Sequence, residues 1–266
     1  MKNFKNKIVV VTGAGSGMGK EYAFQFAKLG AKLALNDYNK TSLEQVKAEL
    51  NNQGFQDVII DDFDVSNKEK MNAFADKVKD AFGNAHVLIN NAGIEGATEK
   101  FMDITDEDFE RLININFYGV VYGSRAFLPQ LVANNEGALV NISSIFGFHG
   151  MPTQSDYCAS KFAVRGFTES LMVEFYESPI QIHIVHPGGI NTNIAQNELS
   201  ANFAEKYLTT SANAIVKYVI KGIKRNQLKM VYGQDSLRVR LAANFLPKRF
   251  STALINYEMK KRLDYD

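Results

Sequence analysis

The chain has one cysteine, Cys158, in 266 residues, and its charge is close to balanced: 30 Lys and Arg against 29 Asp and Glu, a net +1. A lone thiol closes no disulfide within the chain, and the simple reading is a reducing, cytoplasmic setting. Balanced charge gives no reason to expect nucleic acid as a partner. No apolar run approaches the roughly 20 residues of a membrane span. The N-terminal "MKNFKNKIVVVTG" has too short an apolar stretch for a secretory signal, and it ends in a Gly-rich turn rather than a cleavage site. No repeat, low-complexity tract or Pro-rich linker divides the sequence, so residues 1–266 are expected to form a single domain. No His-Glu or Cys-Cys spacing suggests zinc, and no metal is expected.

What is present is a hydrophobic content of 45%, enough for one large core. Short apolar runs alternate with longer periodic segments. The strand candidates are Lys7–Thr12, Lys32–Asn36, Asp57–Phe63, Val87–Asn90, Ala138–Ile142, Gln181–Val185 and Lys229–Tyr232. Runs such as "IVVV" and "VLI" are apolar throughout, as in strands buried on both faces. Between them lie the helix patterns Gly17–Leu29, Thr41–Asn51, Lys68–Phe82, Thr105–Leu131, Asp156–Tyr176 and Ser211–Lys224. "TSLEQ" and "TDEDF" begin two of them in capping-box order. Alternation of strand and helix predicts an α/β fold: a doubly wound parallel sheet of about seven strands, the Rossmann architecture. Ligands of such sheets bind beyond the carboxyl ends of the strands. The unusual residues follow strands: Gly13–Gly19, Asp37, Asp64–Val65, Asn90–Gly93, Ser143–Ser144 and Pro187–Gly189.

"VTGAGSGMG" puts glycines at 13, 15, 17 and 19. Met18 and Lys20 break G-x-G-x-x-G in either register; T-G-x-x-x-G-x-G fits, through Thr12, Gly13, Gly17 and Gly19. Gly13 permits a tight turn out of the strand. Gly17 and Gly19 let a helix start approach both a pyrophosphate and the sheet, where unpaired N–H groups and the helix dipole favour an anion. A glycine-rich turn without a ligand is the plainer alternative. Asp37 strengthens the ligand reading. It ends the second strand 18 residues beyond Gly19, near the roughly 20 expected of an acid that binds the adenosine ribose hydroxyls. A carboxylate there repels a 2′-phosphate, and Tyr38, Asn39 and Lys40 follow it rather than arginine. NAD is expected, with NADP less favoured.

Tyr157 and Lys161, four apart, share one face of a helix. A free tyrosine titrates near roughly pH 10, and a neighbouring ammonium lowers that value. The pair is a plausible acid/base device for an alcohol–carbonyl reaction.

With these residues in hand, the sequence resembles the short-chain dehydrogenase/reductase family from Lys7 to about Gly233. "TGAGSGMG" resembles its cofactor loop, with Ser16 and Met18 among the contacting positions. Asp64–Val65 is similar to its adenine-contacting pair. "NNAG", with Asn91, Ala92 and Gly93, resembles the loop that steadies the sheet and flanks the cofactor. "HPGGINT" resembles the Pro187–Gly188 segment whose Ile190 and Thr192 contact the nicotinamide carboxamide. Asn116, Ser144, Tyr157 and Lys161 match the catalytic tetrad, Ser144 lying 13 residues before Tyr157. The resemblance implies Tyr157 as general acid/base and Ser144 as hydrogen-bond partner of the substrate oxygen. Lys161 is implied to bind the nicotinamide ribose and lower the Tyr157 pKa, and Asn116 to hold a water leading to solvent. Ser143 is the rival of Ser144; spacing favours Ser144, and strand alternation points the two apart. His86 stands where the family often has an acid, before a strand and away from catalysis.

Other candidates read as structural. His183 and His186, three apart on a strand, point to opposite faces and share no ion easily. Cys158 reads as a small packed hydrophobe, and Asp61 and Asp62 as polar residues near a strand end. Phe146, Phe148 and Met151 are expected to line a substrate pocket under a lid from Ile190 to about Thr209, with Ile194, Leu199 and Phe203. An apolar secondary alcohol and its ketone or aldehyde is the expected substrate pair. An NADPH-linked carbonyl or 3-oxoacyl reductase and a non-catalytic NAD-binding sensor are the alternatives. The resemblance implies a homodimer or homotetramer through the helices Thr105–Leu131 and Asp156–Tyr176. Residues 237–266 form a basic amphipathic extension, with seven Lys and Arg against three acids. It is expected to cover the pocket or a subunit interface, in preference to peripheral membrane contact.

Overall fold

The computed structural model describes residues 1–191 and 209–263. Strands β1 (Ile8–Thr12), β2 (Lys32–Asp37), β3 (Val58–Asp62), β4 (Val87–Asn90), β5 (Gly137–Ile142), β6 (Ile180–Pro187) and β7 (Lys229–Tyr232) form one sheet. Every pairing is parallel, and the order is β3-β2-β1-β4-β5-β6-β7. The chain winds outward from β1 to β3, then returns to the middle at β4 and winds the other way. Between β1 and β4 the connections part, and this leaves a crevice at the carboxyl ends.

Side-chain alternation along β1 feeds two cores. Val9 and Val11 face helices α1 (Gly17–Lys28), α2 (Lys40–Asn52) and α7 (Ala212–Lys224), meeting Tyr22, Phe26, Leu43, Leu50, Ile215 and Val219. Ile8 and Val10 face α3 (Lys68–Phe82) and α5 (Gly119–Ala133), meeting Phe74, Val78, Phe127 and Leu131. All five β1 residues are buried, and each such apolar side chain contributes about 1.5–3 kcal/mol.

Two local readings are corrected. The segment read as one helix from Thr105 is α4 (Asp106–Ile113), a π-turn at Asn114–Tyr118, and α5. Such turns are rare and concentrate at functional sites; this one contains Asn116. Thr105 caps α4 by accepting from Asp108 N at 3.1 Å. Thr41, however, lies inside the first turn of α2, and Asn39 caps that helix by accepting from Ser42 N at 3.0 Å. The tail is two helices, α8 (Ser236–Phe245) and α9 (Lys248–Leu263). Pro247 separates them, since it has no N–H to donate and forces Leu246 into an extended conformation. Among the described residues no helix is long and apolar enough to cross a membrane.

His183 and His186 on β6 are fully buried. The Nδ1 of His183 bonds the Gln227 carbonyl at 2.9 Å and that of His186 the Ser144 carbonyl at 2.8 Å. Both bonds require Nδ1–H. Burial pushes both pKa values down from 6.5 to about 4, so both rings are neutral in the folded chain at pH 7. The unfolded chain takes up protons below pH 6.5 that the folded chain refuses until about pH 4. Stability is therefore present above pH 6.5 and lost as pH falls toward 4, by up to about 1.4 kcal/mol per pH unit for each histidine. Urea midpoints should fall from pH 6.5 to pH 5, and more shallowly in a His183→Asn/His186→Asn variant. Identical slopes would contradict the assignment.

Candidate active site

The carboxyl ends of the strands open into one cleft of about 1160 Å³. Gly13, Ser16, Gly17 and Met18 line it, as do Asp37, Asp64, Val65, Asn91, Ala92 and Gly93. Ser144, Tyr157, Lys161, Pro187, Gly188 and Ile190 line the same cleft. Two of the sequence-derived residues do not. Gly19 is buried beneath the loop, and Asn116 lies fully buried behind the wall. Thr192 and the lid residues Ile194, Leu199 and Phe203 lie outside the described residues.

The loop geometry explains the glycines. Gly13 and Gly17 have φ of +64° and +51°, a region where a side chain is strained. A Cβ on Gly19 would lie 1.8 Å from the Gly13 carbonyl oxygen. α1 therefore starts close against the strand end, and its first turn brings Gly17 and Met18 to the cleft. The unpaired N–H groups of that turn suit an anion. A Cβ on Gly15 would lie 2.9 Å from Asp37 Oδ2, and the Gly15 N–H donates to that oxygen at 2.8 Å. The other oxygen accepts from Asn39 N at 2.9 Å. Asp37 thus anchors the loop as well as facing the cleft, a second role that spacing alone did not reveal. Each carboxylate oxygen keeps a lone pair, so ribose hydroxyls can still be accepted. The side-chain-free loop, the helix start and the carboxylate together fit a dinucleotide.

Next to the loop, Asn91 binds across the switch point. Its Nδ2 donates to the carbonyls of Thr12 at 2.9 Å and Gly13 at 3.2 Å. The Thr12 hydroxyl accepts from Asn91 N at 3.0 Å and Ala92 N at 3.1 Å. Asp64 takes the backbone N–H and hydroxyl of Ser66 at 2.9 and 2.8 Å. Asp61 pairs with Lys77 at 3.1 Å.

Across the cleft, α6 (Ser155–Glu174) carries Tyr157 and Lys161 on one face. Lys161 Nζ sits 5.5 Å from the Tyr157 ring centroid and donates to the Ile142 carbonyl at 3.4 Å. Burial pushes Tyr157 up to about 12, the nearby Ser144 hydroxyl opposing in part, and burial alone pushes Lys161 down to about 8. In this structure desolvation is the largest influence on the phenol, and it acts against the lowering expected from the lysine. Asn116 grips Ile94 from both sides, Oδ1 accepting from its N–H at 2.8 Å and Nδ2 donating to its carbonyl at 2.9 Å. A Cβ on Gly93 would lie 3.1 Å from Asn116 Oδ1 and 3.4 Å from Lys161 Nζ, so the glycine lets both side chains approach the backbone.

Ser143 is turned away from Ser144's partners, its hydroxyl donating to the Lys161 carbonyl at 2.9 Å. Phe146 and Met151 line the cleft, but Phe148 does not. Phe148 is buried against His186, ring centroids 4.1 Å apart, with Arg165 4.9 Å from its centroid. An aromatic ring between a cation and a buried imidazole is held in the core. His186 was read as structural without a partner in view; through the Ser144 carbonyl it fixes the loop that presents Ser144. Cys158 is buried, its thiol pushed up to about 11 by desolvation. Val239, Ala242, Leu254, Ile255 and Met259 of the tail also line the cleft, so α8 and α9 cover the pocket, as expected. Replacing Gly19 with Ala forces α1 off the loop. A fluorescence titration with reduced nicotinamide dinucleotide should show Kd raised about tenfold or more, roughly 1.4 kcal/mol. An unchanged Kd would contradict the packing argument.

The chain matches the family model for short chain dehydrogenase over residues 7–202. It is 39% identical to the SadH protein of Mycobacterium tuberculosis, which is named as an oxidoreductase, over 92% of this chain and 93% of that one. It is 42% identical to Epidermal retinol dehydrogenase 2 of Homo sapiens over 73% of this chain and 63% of that protein. A short chain dehydrogenase/reductase from Burkholderia phymatum, solved in complex with NAD, superposes with a TM-score of 0.84. That structure is 29% identical, with 91% of this chain and 94% of that one covered. The chain belongs to the short-chain dehydrogenase/reductase family, whose members are oxidoreductases that act on CH–OH groups with NAD or NADP.

Proposed function

We propose that the protein is an NAD-dependent dehydrogenase that interconverts an apolar secondary alcohol and its carbonyl compound. One observation carries the reading: Ser144, Tyr157 and Lys161 face the same cleft as the glycine loop and Asp37. A bound nicotinamide dinucleotide supplies the hydride acceptor or donor. Gly13, Gly17 and the start of α1 hold its pyrophosphate, and Asp37 its adenosine ribose. Asp64, Val65, Asn91, Ala92, Gly93, Pro187, Gly188 and Ile190 complete the contacts.

In oxidation the Tyr157 oxygen takes the alcohol's O–H proton as the C–H hydride departs. In reduction Tyr157 returns a proton to the carbonyl oxygen. Burial favours the second role at neutral pH, because it keeps the phenol protonated. The first needs the Lys161 cation, which persists below about pH 8. Ser144 donates to the substrate oxygen and steadies negative charge as it develops. Asn116 acts as a positioning residue: it holds Ile94, and a water beside it connects Lys161 to solvent.

Asp37 supports NAD over NADP. Its carboxylate repels a 2′-phosphate, and the nearest following cation in sequence, Lys40, is exposed and 4.0 Å from Glu44. Apolar walls support the substrate class. Ile94, Leu112, Ile145, Phe146 and Met151 line the cleft together with tail residues Val239, Leu254 and Ile255, while the lining charges Glu99, Asp108 and Arg111 are exposed. The human relative is named as a retinol dehydrogenase; retinol is an apolar primary alcohol, so the name supports the apolar character of the substrate and not its secondary hydroxyl. Subunit association as a dimer or tetramer is proposed through α5 and α6, where Val132, Phe162 and Val173 are exposed.

Steady-state turnover with NAD and NADP over a panel of alcohols tests the assignment. The expected result is kcat/KM at least about tenfold higher with NAD, a gap near 1.4 kcal/mol, and highest for apolar secondary alcohols. Preference for NADP, or for sugars and small polyols, would overturn it.

A further inference from the structure

The C-terminal helices have a second apolar face that the pocket does not use. Of the sixteen large apolar residues exposed among the described residues, six between Leu237 and Tyr257 lie outside the cleft lining. On α8, Leu237, Leu241 and Phe245 recur every four residues at 63%, 48% and 78% exposure. Just beyond, Leu246 and Phe250 are 42% and 66% exposed. This spacing puts the α8 residues on one side of the helix. Val239 and Ala242, on another side of α8, line the cleft. The helix therefore has apolar residues toward both the pocket and the solvent. Such a concentration marks an interaction surface.

Charge decides what the surface fits. Arg240, Lys248 and Arg249 are exposed and interleave with its apolar residues in the chain, and none forms an ion pair among the described residues. Residues 237–266 carry seven cations against three acids, whereas the rest of the chain has 23 against 26. A two-fold contact between copies through this face would set the same cationic patch against itself, which costs association energy. An anionic bilayer offers the complement: headgroup charge for the arginines and lysines, and acyl chains for the leucines and phenylalanines.

We propose that the solvent face of α8 and the start of α9 docks the protein on an anionic membrane surface, with the cleft beside the lipid. The proposal is independent of the cofactor and substrate assigned above. The full-length chain is floated with phosphatidylcholine vesicles with and without about 30% phosphatidylserine, at low salt and at about 0.5 M salt. Binding is expected only to the anionic vesicles, and it should fall with salt. A Phe245→Asp/Phe250→Asp variant and an Arg240→Glu/Arg249→Glu variant should each lose binding about tenfold. Both should keep wild-type kcat on a water-soluble alcohol, since none of the four residues lines the cleft. Failure of the wild type to float overturns the proposal, as does binding indifferent to lipid charge. Sedimentation velocity gives the remaining outcome: if Phe245→Asp/Phe250→Asp splits an oligomer, the face is a subunit contact and the proposal falls.

Discussion

Where β1 and β4 part, two side chains tie the strands together, and the cleft depends on that tie. Thr12 gives its hydroxyl oxygen to two N–H groups of the β4 loop, and Asn91 gives its amide to the two last carbonyls of the β1 side. Parallel strands whose connections leave in opposite directions would otherwise expose backbone groups at this point, and buried unpaired groups are costly. By meeting that need with side chains, the chain holds the glycine loop and the β4 loop at a fixed separation. Gly19 then brings α1 against the same place. The shape of the proposed dinucleotide site follows from these hydrogen bonds and close backbone approach before any ligand contact is considered.

A second polar chain continues behind the reacting groups. Asn90 Nδ2 donates to Ser124 Oγ at 3.2 Å and to Asn141 Oδ1 at 2.9 Å, and Asn141 Nδ2 donates to Thr168 Oγ1 at 3.0 Å. It links α5, β4, β5 and α6 through a buried layer of side chains bonded to one another. α6 is the helix that presents Tyr157 and Lys161, and the loop after β5 presents Ser144. Their relative position is thus set by the sheet interior as well as by the local turn. His186, pinning the Ser144 carbonyl from β6, acts in the same sense.

Much of this was legible in the sequence, for physical reasons. Strands buried on both faces leave continuous apolar runs, so all seven appeared within a residue or two of their ends. Positive-φ turns require glycine, so the loop after β1 was visible. Residues four apart on a helix share a face, so Tyr157 and Lys161 could be paired. What escaped depended on contacts distant in sequence. The π-turn at Asn116 leaves no periodic mark in "INFYG". Phe148 looked like pocket lining because a loop aromatic after a strand gives no hint that Arg165 and His186 will enclose it. The dual role of Asp37 needed the Gly15 N–H in place. The Tyr157 pKa also depends on burial, which sequence spacing does not report and which raises it.

The account rests on one phenol oxygen acting at the meeting point of the two loops. Stopped-flow measurement of a single hydride transfer in the Tyr157→Phe variant, with cofactor affinity measured in parallel, tests that directly. The account predicts transfer slowed by about 100-fold or more with dinucleotide Kd unchanged, since the glycine loop and Asp37 are untouched. Transfer at the wild-type rate would contradict it.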